Sequence, residues 1–151
     1  MTFRNLPWEE RETILGDTAE AQFESWATSV PLGFVRFGLQ RPPLQMHSLP
    51  TRLRYTPDYL MSKKFVEVQG FGADQTIKLK IDKANALHWW TDVHPVEIFL
   101  WDSHHQRSAL VPLSVFDSVL GSGQVELRTF SEGKPYFSIP ANLVFGYAQT
   151  T

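Results

Sequence analysis

The chain has 151 residues, 42% of them hydrophobic and 20% charged, with a formal net charge of -2. That length suits one domain with a hydrophobic core rather than two, and the balance excludes a disordered chain. Cysteine is absent, which excludes disulfides, thiolate zinc sites and cysteine nucleophiles.

Residues 6–15 are acidic and follow Pro7, predicting a helical turn anchored by Trp8. Gly16-Asp17-Thr18 supplies a stop and then an N-cap, Asp17 or Thr18. Ala19, Phe23, Trp26 and Ala27 recur at helical spacing and predict an amphipathic helix to about Ser29. Glu20 and Glu24 lie one turn apart on its edge and can point at the same place. Acids in a first turn are also favoured on electrostatic grounds alone. Pro31 ends the helix, and residues 34–37 read as a short strand. Pro42, Pro43 and Pro50 make residues 40–50 an irregular loop, with His47 a loop residue rather than a ligand.

Residues 53–55 read as a strand that Pro57 must end, because proline lacks the ladder donor and restrains the residue before it. Asp58 is then expected at a strand end, followed by an apolar cover at 59–61 and a polar turn at 62–64. Residues 65–69 are the clearest strand of the chain. Phe65, Glu67 and Gln69 share one face, and Val66 and Val68 the other. Two polar groups on one face of a β-branched strand need something to satisfy them. Gly70 and Gly72 are expected to end the strand and to let backbone or ligand approach closely. Antiparallel pairing of the two strands would bring Asp58 and Glu67 together, and close carboxylates need a cation or a shared proton.

Residues 76–81 alternate before helical spacing takes over at Ala84, Leu87 and Trp90, so a short strand and a helix capped by Asp82 are expected. Trp89 and Trp90 read as packing residues rather than a base-stacking platform. Residues 96–101 are apolar enough for a central strand. Asp102, His104 and His105 fall in a polar loop where adjacent histidines are ordinarily just exposed. Residues 108–115 form a strand that Pro112 assigns to a sheet edge, followed by a helical turn at 116–120. Residues 125–130 and 136–139 alternate around a turn and predict a hairpin. Residues 142–147 are apolar enough to dock.

Charge is unevenly distributed. Residues 36–83 carry nine basic and four acidic groups, whereas both flanking segments are acidic. A local positive field is what a polyanion-binding face needs, although a solvated lysine-rich surface has the same composition.

Helix with Glu20, strand, Pro57-Asp58, strand with Glu67-Val68-Gln69, lysine-bearing segment, helix and strand is an order that resembles the PD-(D/E)XK nuclease superfamily, in its E-x-Q variant. The resemblance covers about residues 16–101. It implies an α/β, restriction-endonuclease-like fold: a mixed central β-sheet flanked by helices, here with a C-terminal β-hairpin. One domain is expected over 1–151, with its core at about 16–116 and a hairpin extension at about 121–151. The implied activity is metal-dependent endonucleolytic hydrolysis of DNA phosphodiester bonds. Carried over, Asp58, Glu67 and the Val68 carbonyl would hold Mg2+ or Mn2+, whose hardness suits oxygen donors. Glu20 would be the helix-borne acid, reaching the metal directly or through water. Gln69 stands where the superfamily most often has lysine; an amide orients water but brings no positive charge, so Lys78 or Lys80, the latter more weakly, would have to supply it.

Phosphate contacts would come from Arg52, Arg54, Lys63, Lys64 and Lys78. The partner would be duplex or branched DNA, and a homodimer would cut two strands. The alternative is a catalytically weak or inactive nuclease-fold module that binds nucleic acid or protein; a third reading is a β-rich interaction protein. No apolar run approaches the ~20 residues of a membrane span. Residues 1–7 lack a signal-peptide core. The expected setting is cytoplasmic, in a bacterial or phage-infected cell, with no membrane partner.

Overall fold

The computed structural model describes residues 8–38, 48–146 and 149–150. The expected loop around His47 falls largely outside them. The elements run α1 (Trp8–Ser29), β1 (Phe34–Arg36), α2 (Thr51–Arg54), β2 (Tyr59–Met61), β3 (Lys64–Phe71), β4 (Thr76–Lys80), α3 (Ile81–Trp90), β5 (Val96–Asp102), β6 (Arg107–Pro112), α4 (Leu113–Leu120), β7 (Glu126–Thr129), β8 (Pro135–Pro140), α5 (Ala141–Phe145) and β9 (Gln149–Thr150).

Six strands form a sheet in the order β1-β2-β3-β5-β6-β9, and three form a second in the order β4-β8-β7. Only β3 and β5 pair in parallel among these neighbours. The large sheet is therefore mixed and carries helices, as the sequence predicted. Its alternation decides where the cores lie. Val66 and Val68 of β3 face one side and pack with Phe99 and Trp101 of β5 beneath Ala19, Phe23 and Ala27 of α1. Phe65 faces the other side, with Ile98 and Leu100 of β5, Leu87 and Trp90 of α3, and Phe116 of α4. Phe23 is wholly buried among the rings of Tyr59, Phe34 and Phe99; emptying it would cost about 3–5 kcal/mol.

Several local expectations are overturned. α1 starts at Trp8 and continues through Gly16-Asp17-Thr18, because one glycine costs only about 1 kcal/mol in a helix otherwise able to continue. Residues 53–55 are not a strand: residues 51–54 form a helical turn, whose backbone is tied down where the Trp90 indole N–H donates to the Arg52 carbonyl at 3.0 Å. The strand comes after Asp58 instead, so the expected cover at 59–61 is β2 itself. β3 continues through Gly70 to Phe71. α3 begins at Ile81 with Lys80 in the cap position, and Asp82 lies inside its first turn. β6 is not an edge, since β9 pairs with Ala109 and Leu110; Pro112 is tolerated as its last residue. The expected hairpin is present, but β8 pairs along all of β4. The hairpin thereby completes a sheet built on the central part of the chain.

Asp102 ends β5 with a wholly buried carboxylate. It accepts the backbone N–H groups of His104 and His105, the Gln75 amide, the Arg107 guanidinium and a contact from His105 Nδ1. These bonds hold its pKa down to about 2 against the opposing effect of burial. It organises the β5–β6 turn, and His104-His105 follow from that turn.

Candidate active site

The geometry at Asp58 follows from strand pairing. Tyr59 pairs with Val66, so continuing the register by one and two residues sets Asp58 opposite Glu67 and Pro57 opposite Val68. Successive N–H groups along a strand alternate in direction. Phe65 sends its N–H to Pro95 O, on the β5 side, at 2.8 Å, so Val68 directs its own toward β2. β2 has not yet begun there, and Asp58 Oδ2 accepts that N–H at 2.8 Å. The Asp58 carbonyl in turn accepts N–H groups from Phe37 at 2.9 Å and Gly38 at 3.1 Å. Gly38 is required by this approach: a Cβ there would meet Pro57 O at 2.8 Å, Asp58 Cα at 3.1 Å and Thr56 O at 3.2 Å.

Glu67 is 4% exposed, and the Lys83 ammonium reaches its Oε1 from α3. Burial pushes the Glu67 carboxyl up to about 8; the charge on Asp58 adds to this, and Lys83 opposes it. Burial also raises Asp58, against Lys83 and the Val68 N–H. Burial works against the Lys83 charge, but Glu67 and Asp58 hold its pKa above the ordinary lysine value. Two carboxylates thus face one ammonium, and a proton is retained to offset the excess negative charge.

A second cationic group flanks Asp58. Arg36 of β1 holds both oxygens of Glu20, through Nη1 at 2.8 Å and Nη2 at 3.3 Å, and the same Nη2 lies 3.9 Å from Asp58 Oδ1. Tyr59 Oη accepts from Arg36 at 3.3 Å and donates to Glu24 Oε1 at 2.7 Å. Glu20 and Glu24 do point at one place, the Arg36–Tyr59 pair, and the Glu20 charge also raises the Asp58 and Glu67 carboxyls.

The remaining residues singled out in the sequence are dispersed. Gln69 Nε2 donates to the Lys78 carbonyl at 3.4 Å. The Lys78 ammonium lies 3.7 Å from Asp74, and that of Lys80 stands 5.5 Å from the centre of the Phe130 ring. The lysine at the carboxylates is Lys83. Arg52 and Lys63 are exposed, Arg54 donates to Leu49 O at 3.1 Å, and Lys64 pairs with Glu97. Sequence reasoning passed over Lys83, Arg36 and Gly38. Lys83 did carry a signal: it is in line with the buried Leu87 and Trp90 at i, i+4 and i+7, and a lysine on a buried stripe needs an acid.

Among the described residues, no three His, Cys, Asp or Glu side chains group as a ready-made metal cluster. Asp58 and Glu67 provide two hard oxygen donors with an unbalanced negative charge, already attracting a cationic group, and this chemistry fits a small divalent cation completed by backbone oxygen and water.

Two solved structures share the backbone arrangement. Hjc, a Holliday junction resolvase from Archaeoglobus fulgidus, aligns with a TM-score of 0.56 at 12% identity, over 89% of this chain and 90% of its own. D212, a nuclease from a fusselovirus, aligns with a TM-score of 0.52 at 7% identity, over 92% of this chain and 88% of its own. No protein-family model matches the sequence, and no curated protein matches it significantly.

Proposed function

From a chain with the restriction-endonuclease-like fold of these two nucleases, we propose a metal-dependent endonuclease that hydrolyses DNA phosphodiester bonds. The observation that carries this reading is the buried Asp58–Glu67 pair, with more negative charge than its ammonium offsets. Mg2+ or Mn2+ would be held by Asp58, Glu67 and the Val68 carbonyl. A strand residue exchanges its N–H and C=O with the same neighbour, so the Val68 carbonyl is on the side of the N–H that Asp58 binds. The bound cation would lower the pKa of an attacking water and offset charge developing on the phosphate.

The chain's own residues supply the rest. With a cation bound, Glu67 would hold it as the carboxylate, its proton passing to solvent, and Lys83, the ammonium beside both carboxylates, would face the attacking water or the phosphate oxygens. It thereby brings the positive charge that Gln69 lacks. Gln69 secures the β3–β4 connection through the Lys78 carbonyl. Arg36 holds Glu20 with both terminal nitrogens, so Glu20 is fixed beside the site, where its charge favours the protonated forms of Asp58 and Glu67. Exposed Arg52 and Lys63, with Arg54, Lys64 and Lys78, would contact phosphates, and affinity would fall steeply with salt. Branched DNA is the first substrate to test because Hjc is a Holliday junction resolvase, and a homodimer would place two centres on opposite strands. Residues 1–151 act as one unit in this reading. No described helix is long and apolar enough to cross a membrane.

The test is incubation with supercoiled, linear and four-way-junction DNA, with and without Mg2+ or Mn2+, beside Asp58→Ala and Glu67→Ala. Cleavage that needs the metal and disappears in both variants supports the reading; no cleavage under any metal condition, or cleavage unchanged in both variants, refutes it. A second reading, a DNA-binding module without turnover, is favoured by one observation. Gln69 replaces the strand lysine and its amide is engaged on the Lys78 backbone. It predicts salt-sensitive DNA binding with no cleavage.

A further inference from the structure

An exposed aromatic face lies where α2 meets the end of α3, and one of its rings, expected from the sequence to be packing, is left open. Trp89 is 38% exposed, with the Arg52 guanidinium 4.8 Å from its ring centre. Trp90 meets Trp89 edge-on at 5.1 Å and carries the partly exposed Phe37 at 5.6 Å. The Trp90 indole N–H, bonded to the Arg52 carbonyl, pins α2 against the end of α3. Leu53 and Val93, neighbours in sequence of this stack, are exposed as well.

Each part is joined to the candidate centre. The Phe37 N–H is bonded to the Asp58 carbonyl. Phe65, its ring tilted against Phe37 at 4.8 Å, lies two residues before Glu67 on the same face of β3. α2 runs through Tyr55-Thr56-Pro57 into Asp58, and Lys83 shares α3 with Trp89. Large aromatic groups left exposed together on a surface mark a contact site, and Arg52 of α2 supplies its charge.

We propose that this face binds an unpaired nucleobase of the DNA next to the cut, stacked on Trp89, with Arg52 on the adjoining phosphate. The site extends the nuclease reading and defines its substrate as DNA with an unpaired stretch: single-stranded, flapped or branched. A guanidinium is flat, weakly hydrated and already lies over the indole, so the ring face accepts a planar group. A base offers a larger π-face and frees Arg52 for the anion beside it. Bases inside an intact duplex are stacked on one another and cannot use the face.

The test measures binding in EDTA, where no cleavage is needed, by fluorescence anisotropy of a labelled oligo-dT of about 12 nucleotides and a blunt duplex of about 20 base pairs. Trp89→Leu keeps an apolar contact with Trp90 but removes the stacking face, whereas Trp89→Phe keeps both. Trp89→Leu should weaken oligo-dT binding roughly tenfold and duplex binding by less than about twofold, with Trp89→Phe retaining most of the affinity. Unchanged melting by circular dichroism shows that the variants fold; if Trp89→Leu does not, Arg52→Ala should show the same single-strand bias at a smaller size. Equal losses on both DNAs, or no loss, would overturn the proposal. So would sedimentation showing a dimer that Trp89→Leu dissociates without changing DNA binding, since the face would then join two copies. Metal-dependent cleavage without the strand preference removes the stacking site alone; the preference without cleavage removes the nuclease reading alone.

Discussion

Replacing Glu67 with glutamine should stabilise the metal-free protein, and only at high pH. Glutamine keeps the size of the side chain and an oxygen acceptor for Lys83 while removing the excess charge. The folded Glu67 carboxyl titrates at about 8 against an ordinary value of 4.5. Between those values the folded chain holds a proton that the unfolded chain has released. Stability from this group is therefore full below about pH 4.5 and is lost as pH rises through about 8. The loss is about 1.4 kcal/mol per pH unit, approaching about 5 kcal/mol across the window for a rigid site. Water entry and side-chain movement would cut this to about 2–3 kcal/mol. Lys83 stays charged throughout, so at pH 9 Glu67→Gln should melt higher than the parent by about 5–10 °C for a chain of this size. At pH 4.5 the gap should close. Thermal melts followed by circular dichroism in EDTA, at pH 4.5, 7 and 9, measure the difference directly. Adding Mg2+ at pH 9 should raise the parent and leave the variant nearly unchanged, because the cation offsets the charge that Glu67 carries once its proton is gone. A gap of the same size at pH 4.5 and 9, or a variant less stable than the parent at pH 9, would refute the assignment of surplus charge to this pair.

Lys83→Met removes the only ammonium seen on Glu67 among the described residues, leaving two buried carboxylates to repel one another. The metal-free protein should lose about 3 kcal/mol at pH 8 and less at pH 5, and Mg2+ should raise its melting temperature by more than it raises the parent's. Single-turnover cleavage at saturating Mg2+ should fall by about a hundredfold, within the range of a lost charge or proton donor; unchanged cleavage would remove Lys83 from the chemistry. Gly38→Ala forces a Cβ to within 2.8 Å of the Pro57 carbonyl, so the segment carrying Asp58 into β2 must move. It should cost about 1–3 kcal/mol and weaken Mg2+ binding in isothermal titration, and normal affinity with normal stability would show that the loop yields freely.

Much of the fold was legible because it rests on period-two alternation. Phe65, Glu67 and Gln69 against Val66 and Val68 predicted β3 and its two faces, and an apolar run predicted β5 in the centre of the sheet. The failures have local causes. Leu53-Arg54-Tyr55 has the pattern of a strand, but three residues carry little periodic information, and the Trp90 indole, some forty positions away, selects the helical turn. Gly16-Asp17-Thr18 reads as a helix boundary, yet its propensity cost is small beside the extension of α1. Pro112 fits an edge strand equally well as the final residue of an inner one, and β9 decides between them.

The sequence by itself determined that Glu67 and Gln69 share a strand face and that Asp58 lies just past a proline at the margin of regular pairing, because these relations depend on neighbours a few residues apart. Tertiary structure alone decided which charges surround them. Lys83 arrives from a helix, Arg36 from an outer strand, and Asp58 becomes the acceptor for Val68 only because β2 begins one residue later. Coulomb interactions and desolvation act through space, and separation along the chain carries no record of them.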